Sequence, residues 1–352
     1  MSMKVIPPLA LTSAMVTTSV PEVAPAVYAS GTTYASGVRV SIAGVAGLMT
    51  VYQSLQAGNL GHAPASSPTW WQNVGDTYQS YSAGATYALG DNVIDPTAHK
   101  VYRSVIASNT GGALSDPLKW FFVGPTNAWA MFDILRSSAT TSPVPITVTV
   151  APGVRFDSLA FVGMGATDAS VTLNLGGTPV YTASENLNLR SVANWYDYFF
   201  APFNTQKSFI RFDVPPYSTG VLSAVFSNSG GAVSVGSLVI GMAVTLGIVQ
   251  RGAESDVLNF SDVTRNSDGT ALLTPERNVP KTISSVIFDK KYTDQIRAVR
   301  DQLNGAVAVW AGIDDANEEY FEALLILGFY RRFTINLKDA QEPIISLELE
   351  EV

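Results

Sequence analysis

The feature that most constrains this chain of 352 residues is an internal repeat near its N-terminus. The first copy runs from Tyr28 to Gly75 and the second from Tyr81 to Gly124, and both place tyrosine, glycine and tryptophan in the same order. The spacing between equivalent residues shrinks from 53 (28 to 81) to 49 (75 to 124), as expected of a duplicated unit with small loop deletions. The sequence therefore predicts two copies of one small fold, adjacent in the chain.

Each copy is short, with about 45–50 residues, which is below the size at which a large hydrophobic core forms. Glycine, proline, serine and threonine separate short apolar runs, so we expect short strands joined by turns. Aromatic residues must supply much of the buried surface. They are Tyr34, Tyr52, Trp70 and Trp71 in the first copy and Tyr87, Tyr102, Trp120 and Phe121 in the second.

Composition narrows the classes of function. Hydrophobic residues make up 47% of the chain and charged residues only 14%, which fits a subunit buried in a larger assembly, although a β-rich secreted protein would have a similar composition. The formal net charge is −8, and because an acidic chain repels phosphate we expect no nucleic-acid partner. There is no cysteine, and the two histidines, His62 and His99, occupy non-equivalent positions in the repeats. We therefore predict no disulfide, no metal site and no cofactor.

The N-terminal segment and the apolar runs bear on membrane contact. The longest apolar run, Val235–Val249, is broken by glycine and is shorter than the roughly 20 residues that a membrane span needs. Residues 1–27 carry prolines at positions 7, 8, 21 and 25, which disfavour helix. We predict no membrane span, and we interpret residues 1–27 as an extended arm that follows a neighbouring subunit or the chain's own body.

Residues 126–247 alternate apolar and polar side chains between glycine-rich turns, as in Ile146–Val150 and Ser170–Leu175. Strands at this spacing without a helical period predict an antiparallel β-sandwich of jelly-roll type. Trp195–Phe200 interrupts the pattern with five aromatic residues. We interpret this cluster as a packing plug at the edge of the sandwich or as a subunit contact, rather than as a ligand site.

Residues 248–352 have a different character. The turn sequence Asn266–Gly269 lies in a polar stretch, and apolar residues at helical spacing from Tyr292 to Leu303 predict an amphipathic helix that ends near Gly305. Three further segments predict strands: 306–313, 321–337 and 343–349. We therefore expect a small α+β assembly domain.

The predicted fold class is mainly β. It comprises two small β-rich modules, an antiparallel jelly-roll-like sandwich and a C-terminal α+β domain, after the N-terminal arm. The predicted bounds are 1–27, 28–75, 76–125, 126–247 and 248–352.

Sequence motifs for catalysis are missing. There is no G-x-S-x-G elbow, P-loop or H-E-x-x-H sequence. The acidic pairs Asp314-Asp315 and Glu318-Glu319 fall in a predicted loop or helix start, and we interpret them as a solvated face rather than as the paired carboxylates of a glycosidase. We predict that the protein is not an enzyme.

The second repeat carries the steps Tyr87 to Gly90-Asp91, Val101-Tyr102 and Pro117 to Trp120 in that order. This pattern resembles the small three-stranded carbohydrate-binding module attached to chitinases and cellulases. The resemblance implies aromatic faces that stack on sugar rings. The candidate glycan-binding residues are Trp70, Trp71, Tyr102, Trp120 and Phe121.

The repeats also depart from that family, which often places tryptophans directly after the Val-Tyr strand. This chain has Leu55-Gln56 and Val105-Ile106 there, and Val38 replaces the aspartate in the first copy. Packing within and between the repeats therefore stays as the alternative role of the candidate aromatic residues.

A longer pattern spans most of the chain: Asn127–Asp133, Asn194–Pro202 and Gly328–Ile335 precede a terminal acidic strand. It resembles a family of tailed-bacteriophage virion proteins from tail gene clusters. The resemblance implies a structural subunit of the tail tip or baseplate, made in the host cytoplasm and located in the virion. Such a subunit forms a homo-oligomeric ring, contacts other tail proteins and displays the two modules on its outside.

Two other functions remain open at this stage. The first is a receptor-binding adhesin that recognises host cell-surface glycan, which is compatible with a place in a ring. The second is a secreted glycan-processing enzyme that has lost its catalytic half. It is the weakest alternative, because residues 126–352 show no convincing acid/base pair.

Overall fold

The computed structural model describes residues 2–189, 194–200, 204–265, 270–274, 278–314, 320–337 and 342–352. Over these residues the protein is mainly β, as the sequence predicts, and most of its strand pairs are antiparallel. The predicted turn Asn266–Gly269 and the acidic residues Asp315, Glu318 and Glu319 lie outside the described residues.

The N-terminal segment is extended, in keeping with its prolines, and it follows the chain's own body. It contains strands β1 (Ser2–Ile6) and β2 (Val16–Thr18). The first joins the last sheet of the chain, and the second joins the sandwich. Residues 2–18 are therefore integral to two different sheets rather than a loose arm.

The two repeats form one continuous six-stranded sheet, in the order β10-β8-β7-β5-β4-β3. They are joined by a short parallel pairing in which Gln79 lies opposite Val93 and Ser80 opposite Ile94. Strand β5 crosses the boundary predicted between residues 75 and 76, and its last two residues pair with β7 of the second copy. The strands of the repeats are β3 (Arg39–Ala43), β4 (Leu48–Ser54), β5 (Trp71–Ser80), β6 (Thr86–Tyr87), β7 (Asn92–Asp95), β8 (Lys100–Ser104), β9 (Asn109–Thr110) and β10 (Trp120–Pro125).

A β-sandwich follows, as predicted. Its elements are β11 (Thr140–Ser142), β12 (Ile146–Val150), β13 (Ser158–Val162), β14 (Asp168–Leu175), β15 (Thr178–Asn186), β16 (Asn188–Leu189), α1 (Trp195–Phe200), β17 (Asn204–Thr205), β18 (Ser208–Arg211), β19 (Val221–Ser227), β20 (Val233–Val235) and β21 (Ser237–Gly241). The five-stranded sheet β15-β14-β19-β12-β2 packs on the three-stranded sheet β18-β13-β21. Side chains such as Phe161, Phe209 and Phe226 fill the space between the two sheets.

The last part of the chain forms a closed β-barrel that contains more than the predicted α+β domain. Its elements are β22 (Val244–Val249), β23 (Glu254–Asn259), β24 (Asp262–Arg265), β25 (Ala271–Thr274), β26 (Asn278–Ile287), α2 (Thr293–Gln302), β27 (Ala308–Ala311), β28 (Leu325–Asn336) and β29 (Ile344–Glu351). The sheet order is β22-β1-β27-β28-β29-β26-β23, and a further pairing of β22 with β26 closes the barrel. Helix α2 lies where predicted and buries Ile296 and Val299, followed by Leu303, in the barrel core.

The sandwich and the barrel share a core. Strands β13 and β21 are buried along their whole length, because the three-stranded sheet packs on the five-stranded sheet on one side and on the barrel on the other. On the barrel side, Val162 and Ile210 pack in one cluster with Val309 and Leu325. The boundary predicted at residue 247 falls inside the barrel strand β22, so the barrel begins a few residues earlier than predicted.

A two-stranded extension leaves the barrel beside β26. Strand β23 pairs only with β26, and β24 and β25 pair only with each other, among the residues that the structure describes. We call the described residues between 254 and 283 the β-arm. Three apolar side chains of the β-arm are 46–61% exposed: Val257, Phe260 and Val263.

Candidate functional site

Each repeat contains a box of two tyrosines and one tryptophan with nearly identical geometry. The first box is Tyr28, Tyr34 and Trp71, and the second is Tyr81, Tyr87 and Trp120. The tyrosine rings are stacked 5.8 Å apart in the first box and 6.1 Å in the second. The tryptophan meets the second tyrosine edge-on at 5.2 Å and 5.3 Å, respectively. The duplication seen in the sequence is thus also a duplication of three-dimensional packing.

Hydrogen bonds hold each tryptophan inside its box. The indole nitrogen of Trp71 donates to the carbonyl of His62 at 2.8 Å, and that of Trp120 donates to the carbonyl of Gly112 at 3.1 Å. Their side chains are 2% and 3% exposed. The interpretation of Trp71 and Trp120 as glycan-binding residues is therefore wrong, because neither offers a face on which a sugar ring can stack.

The other three candidates have different surroundings. Trp70 is half-buried, with one face stacked on the imidazole of His62 at 4.0 Å, and Tyr102 is half-buried against the edge of Phe122. Phe121 is 60% exposed on β10, at the edge of the sheet. Three strand spacings separate β10 from β5, a distance of roughly 14 Å. Phe121 and Trp70 therefore do not form one platform.

Phe121 lies beside polar groups that sequence reasoning missed. It is paired across the strands with Arg103, whose Nε donates to Oδ1 of Asn92 at 3.1 Å. The first copy has Gln72 at the position of Phe121. The cross-strand register was the signal that could have identified Arg103. Asn92 is only 7% exposed and holds the guanidinium of Arg103, so the groups open to solvent are the ring of Phe121 and Arg103. One exposed flat ring next to a guanidinium is a minimal arrangement for contacting a sugar.

The repeats are fixed to the sandwich through Glu22. Its Oε1 accepts from Thr126 Oγ1 at 2.7 Å and lies 2.8 Å from His99 Nδ1, and its backbone carbonyl accepts from Thr77 Oγ1. The His99 ring stacks on Trp129 at 3.8 Å. Both histidines thus stack on tryptophans. Among the described residues, no three His, Asp or Glu side chains lie close enough together to bind a metal ion.

A cavity of about 420 Å³ lies between the six-stranded sheet and the sandwich. Among the described residues that line it, Asp76 is the single carboxylate, beside polar groups such as Asn73 and Asn127. Hydrolysis of a glycosidic bond requires two carboxyl groups at a set separation. This cavity therefore lacks the residues for that chemistry.

The shifted pKa values of described groups have local causes. Burial, and then the hydrogen bond to Asp213 at 2.7 Å, raises the pKa of the Tyr181 hydroxyl. The paired guanidinium of Arg331, with contacts of 2.6 and 2.8 Å, lowers the pKa of Glu350. The Arg331–Glu350 pair joins the neighbouring strands β28 and β29, and the Tyr181–Asp213 pair joins β15 to the segment that follows β18. Each is an isolated pair rather than part of a group that converges on a cleft.

The aromatic cluster Trp195–Phe200 forms helix α1 and is not a packing plug. Its five aromatic side chains are 52–79% exposed. They touch one another instead of the sandwich core, with Trp195 6.1 Å from Tyr198 and 6.5 Å from Phe199. The alternative interpretation, a subunit contact, remains a prediction.

No protein-family model matches this chain, and a search of curated proteins finds no match. Among the described residues no helix is long and apolar enough to cross a membrane. Functional inference therefore depends on the geometry above and on the resemblances in the sequence.

Proposed function

We propose that this protein is a structural subunit of a bacteriophage tail, in the tail-tip or baseplate region. In this proposal, copies of the protein form a homo-oligomeric ring that contacts other tail proteins and carries the two repeats on its outside. The assignment to a phage tail comes from the sequence resemblance. The need for an oligomer is supported by one structural observation, the β-arm.

In the part of the β-arm that the structure describes, β24 and β25 pair only with each other, and β23 lies at the edge of its sheet. A two-stranded hairpin is marginally stable at best in water, and an exposed strand edge readily pairs with another chain. The arm also exposes Val257, Phe260 and Val263. A neighbouring subunit that covers the arm would bury these side chains and would pair with the edge strands of the arm.

The repeats suit an outward position. They form one sheet that joins the body mainly through Glu22 and the neighbourhood of Thr126, away from the shared core of the sandwich and barrel. When each subunit contacts its two neighbours through two different surfaces, the subunits form a ring if the rotation between neighbours divides a full turn evenly.

The oligomer is tested on the full-length protein by light scattering after size-exclusion chromatography and by negative-stain electron microscopy. We expect a closed ring whose interfaces each bury more than about 1,000 Å². The variant V257D/V263D places charges on the arm and is expected to release monomers with an unchanged circular dichroism spectrum. The control V45D/V154D charges two exposed valines outside the arm and should leave the ring intact.

A wild-type monomer at micromolar concentration contradicts the ring. The position in the particle is tested separately, by immunogold labelling of phage particles. Label at the tail end supports the proposal, and label only on unassembled protein contradicts it.

Glycan recognition by the second repeat is a second candidate function, favoured by the exposed ring of Phe121 beside Arg103. Weak sites become effective when an assembly presents many copies. Full-length protein is tested for binding to chitin, cellulose and a glycan array. Phe121→Ala is expected to lower binding at least tenfold, whereas Leu118→Ala, two positions before β10, is not. Absence of binding at millimolar oligosaccharide contradicts this function.

A further inference from the structure

The two repeats differ at the edge of their common sheet, where the second repeat alone carries cations. Strands β8 and β10, together with the residue before β10, contain Lys100, Arg103, Lys119, Phe121 and Phe122. None of the five equivalent positions in the first repeat carries a cation: Thr50, Gln53, Trp70, Gln72 and Asn73. Features that the two copies share maintain the fold, so a difference of this kind points to a role of the second copy alone.

A hydrogen bond fixes the orientation of the Arg103 guanidinium. Its Nε donates to Oδ1 of Asn92, on the neighbouring strand β7, at 3.1 Å. The first repeat has the same kind of pair with the two residue types exchanged between the strands, because Nε of Arg39 on β3 donates to Oε1 of Gln53 on β4, also at 3.1 Å. The exchange keeps the bond in both repeats, so the anchored guanidinium is a shared property of the fold. In Arg103 the bond leaves the donors of Nη1 and Nη2 for another group.

The anchored guanidinium and the ring of Phe121 are both open to solvent. Arg103 is exposed, and within the described part of the chain its side chain bonds only to Asn92 and forms no ion pair. Phe121 is 60% exposed, and no described ring or cation stacks on it. Its neighbour Phe122, by contrast, meets Tyr102 edge-on and lies under the ammonium of Lys100.

The strand register brings these two open groups together. Arg103 lies directly opposite Phe121, and the Cβ atoms of such cross-strand pairs are about 5 Å apart. A single sugar residue can therefore contact the ring and the guanidinium at the same time.

The charge around this pair is positive although the chain as a whole is acidic. Residues 100–125 contain three cations and one carboxylate, that of Asp116, which accepts from the backbone nitrogen of Leu118 at 3.0 Å. The Debye length is about 8 Å at physiological ionic strength, so the more distant carboxylates behind the net charge of −8 are largely screened here. An anionic group at Arg103 is therefore attracted. One anchored guanidinium is too little for nucleic acid, whose binding depends on neutralising many phosphates.

We propose that Arg103 and Phe121 together bind a carboxylated sugar, that is, a uronic-acid residue of a surface polysaccharide. The inference rests on glycan recognition by the second repeat and names the class of sugar. The sugar ring lies on Phe121, and its carboxylate accepts two hydrogen bonds from the guanidinium, whose planar fork matches carboxylate geometry. Because the bond to Asn92 orients the fork before the sugar arrives, less side-chain freedom is lost on binding.

The first experiment compares ligands that differ only in the charge of the carboxylate. Full-length protein is titrated calorimetrically with oligosaccharides of galacturonic, glucuronic and mannuronic acid, each against its methyl ester. We expect at least one free acid to bind at least tenfold more tightly than its ester. We also expect this advantage to shrink as the salt concentration rises, because salt screens the exposed guanidinium.

The second experiment changes the guanidinium. Arg103→Gln is expected to lower the affinity for the acid at least tenfold and to leave the affinity for the ester unchanged. Arg103→Lys should recover only part of the loss, because an ammonium keeps the charge without the planar fork. The control Arg155→Gln removes another exposed arginine and should bind the acid like the wild type. Circular dichroism checks that the three variants are folded.

Several outcomes overturn this inference. Equal affinities for acid and ester remove the carboxylate as the recognised group and leave glycan recognition standing. Unchanged binding of the acid by Arg103→Gln, or an equal loss in Arg155→Gln, removes Arg103 as the binding residue. Wild-type affinity in Arg103→Lys, together with equally tight binding of dextran sulfate, shows that the site responds to negative charge alone. If neither acids nor neutral oligosaccharides bind, glycan recognition itself is contradicted.

Discussion

At the scale of single residues, the neighbours Trp120 and Phe121 show how a strand sorts side chains. Successive residues of a strand point to opposite faces of the sheet, so one of the pair enters the aromatic box and the other faces solvent. The sequence leaves both residues as either buried aromatics or glycan-binding aromatics, because aromatic character alone does not show which face of the strand is covered. The identity of the buried member depends on its bond to Gly112 and its contact with Tyr87.

This sorting predicts that alanine substitutions at the two positions change stability by very different amounts. Trp120→Ala is expected to lower the free energy of unfolding of the second repeat by about 3–5 kcal/mol, because it empties the box. Phe121→Ala is expected to change it by less than about 0.5 kcal/mol, because the ring is mostly exposed. Native-state hydrogen exchange of β7 and β8 measures both. Similar losses in the two variants would show that the box does not stabilise the repeat.

At the scale of elements, each repeat docks its hairpin turn on the next unit. In the first copy the turn between β3 and β4 accepts a bond from Gln79 N to Gly47 O at 3.0 Å; in the second, Thr126 N donates to His99 O at 2.9 Å. Both turn residues have positive φ, 77° at Gly47 and 56° at His99. The second repeat thus joins the sandwich through the same kind of contact that joins the two repeats.

The inter-repeat contact is tested by two glycines with the same backbone conformation. A Cβ at Gly47 would lie 2.2 Å from the carbonyl oxygen of Asn92, whereas a Cβ at Gly58, with φ of 72°, would meet nothing within 4 Å. Gly58→Ala should cost about 1–2 kcal/mol from backbone strain alone. We expect Gly47→Ala to cost clearly more and to open the junction to proteolysis. Equal losses in urea unfolding would mean that the turn is not tightly docked.

At the scale of the whole molecule, the two ends of the chain meet in the barrel. Strand β1 pairs with β22 on one side and with β27 on the other. Met3 and Val5 enter the barrel core, and Ile6 enters the core shared with the sandwich. Terminal residues are usually poorly ordered unless tertiary contacts hold them, and here both edges of β1 are paired with other strands.

The prediction at this scale concerns a residue close to the N-terminus. Ile6→Ala is expected to lower the free energy of unfolding by about 2–5 kcal/mol, as for a fully buried core residue. Val23→Ala, an exposed change in the same segment, should stay within about 0.5 kcal/mol. Urea unfolding followed by circular dichroism compares them. An effect of Ile6→Ala as small as that of Val23→Ala would show that β1 contributes little to the barrel.

The sequence by itself determined the features that depend on local periodicity. These are the duplication, the β character of residues 126–247, and helix α2 with its buried face at Ile296 and Val299. Spacing along the chain reports which side chains share a face, whichever partner that face later meets.

Tertiary structure alone decided which partner each face meets. Of the five candidate residues, Trp71 and Trp120 became core, Trp70 and Tyr102 half-buried, and only Phe121 remained open. The continuous sheet of the repeats and the barrel, in which β1 pairs with β22 and β27, likewise depend on pairings between residues far apart in the chain. Local pattern does not encode such pairings, because the same alternation of side chains is compatible with many strand orders.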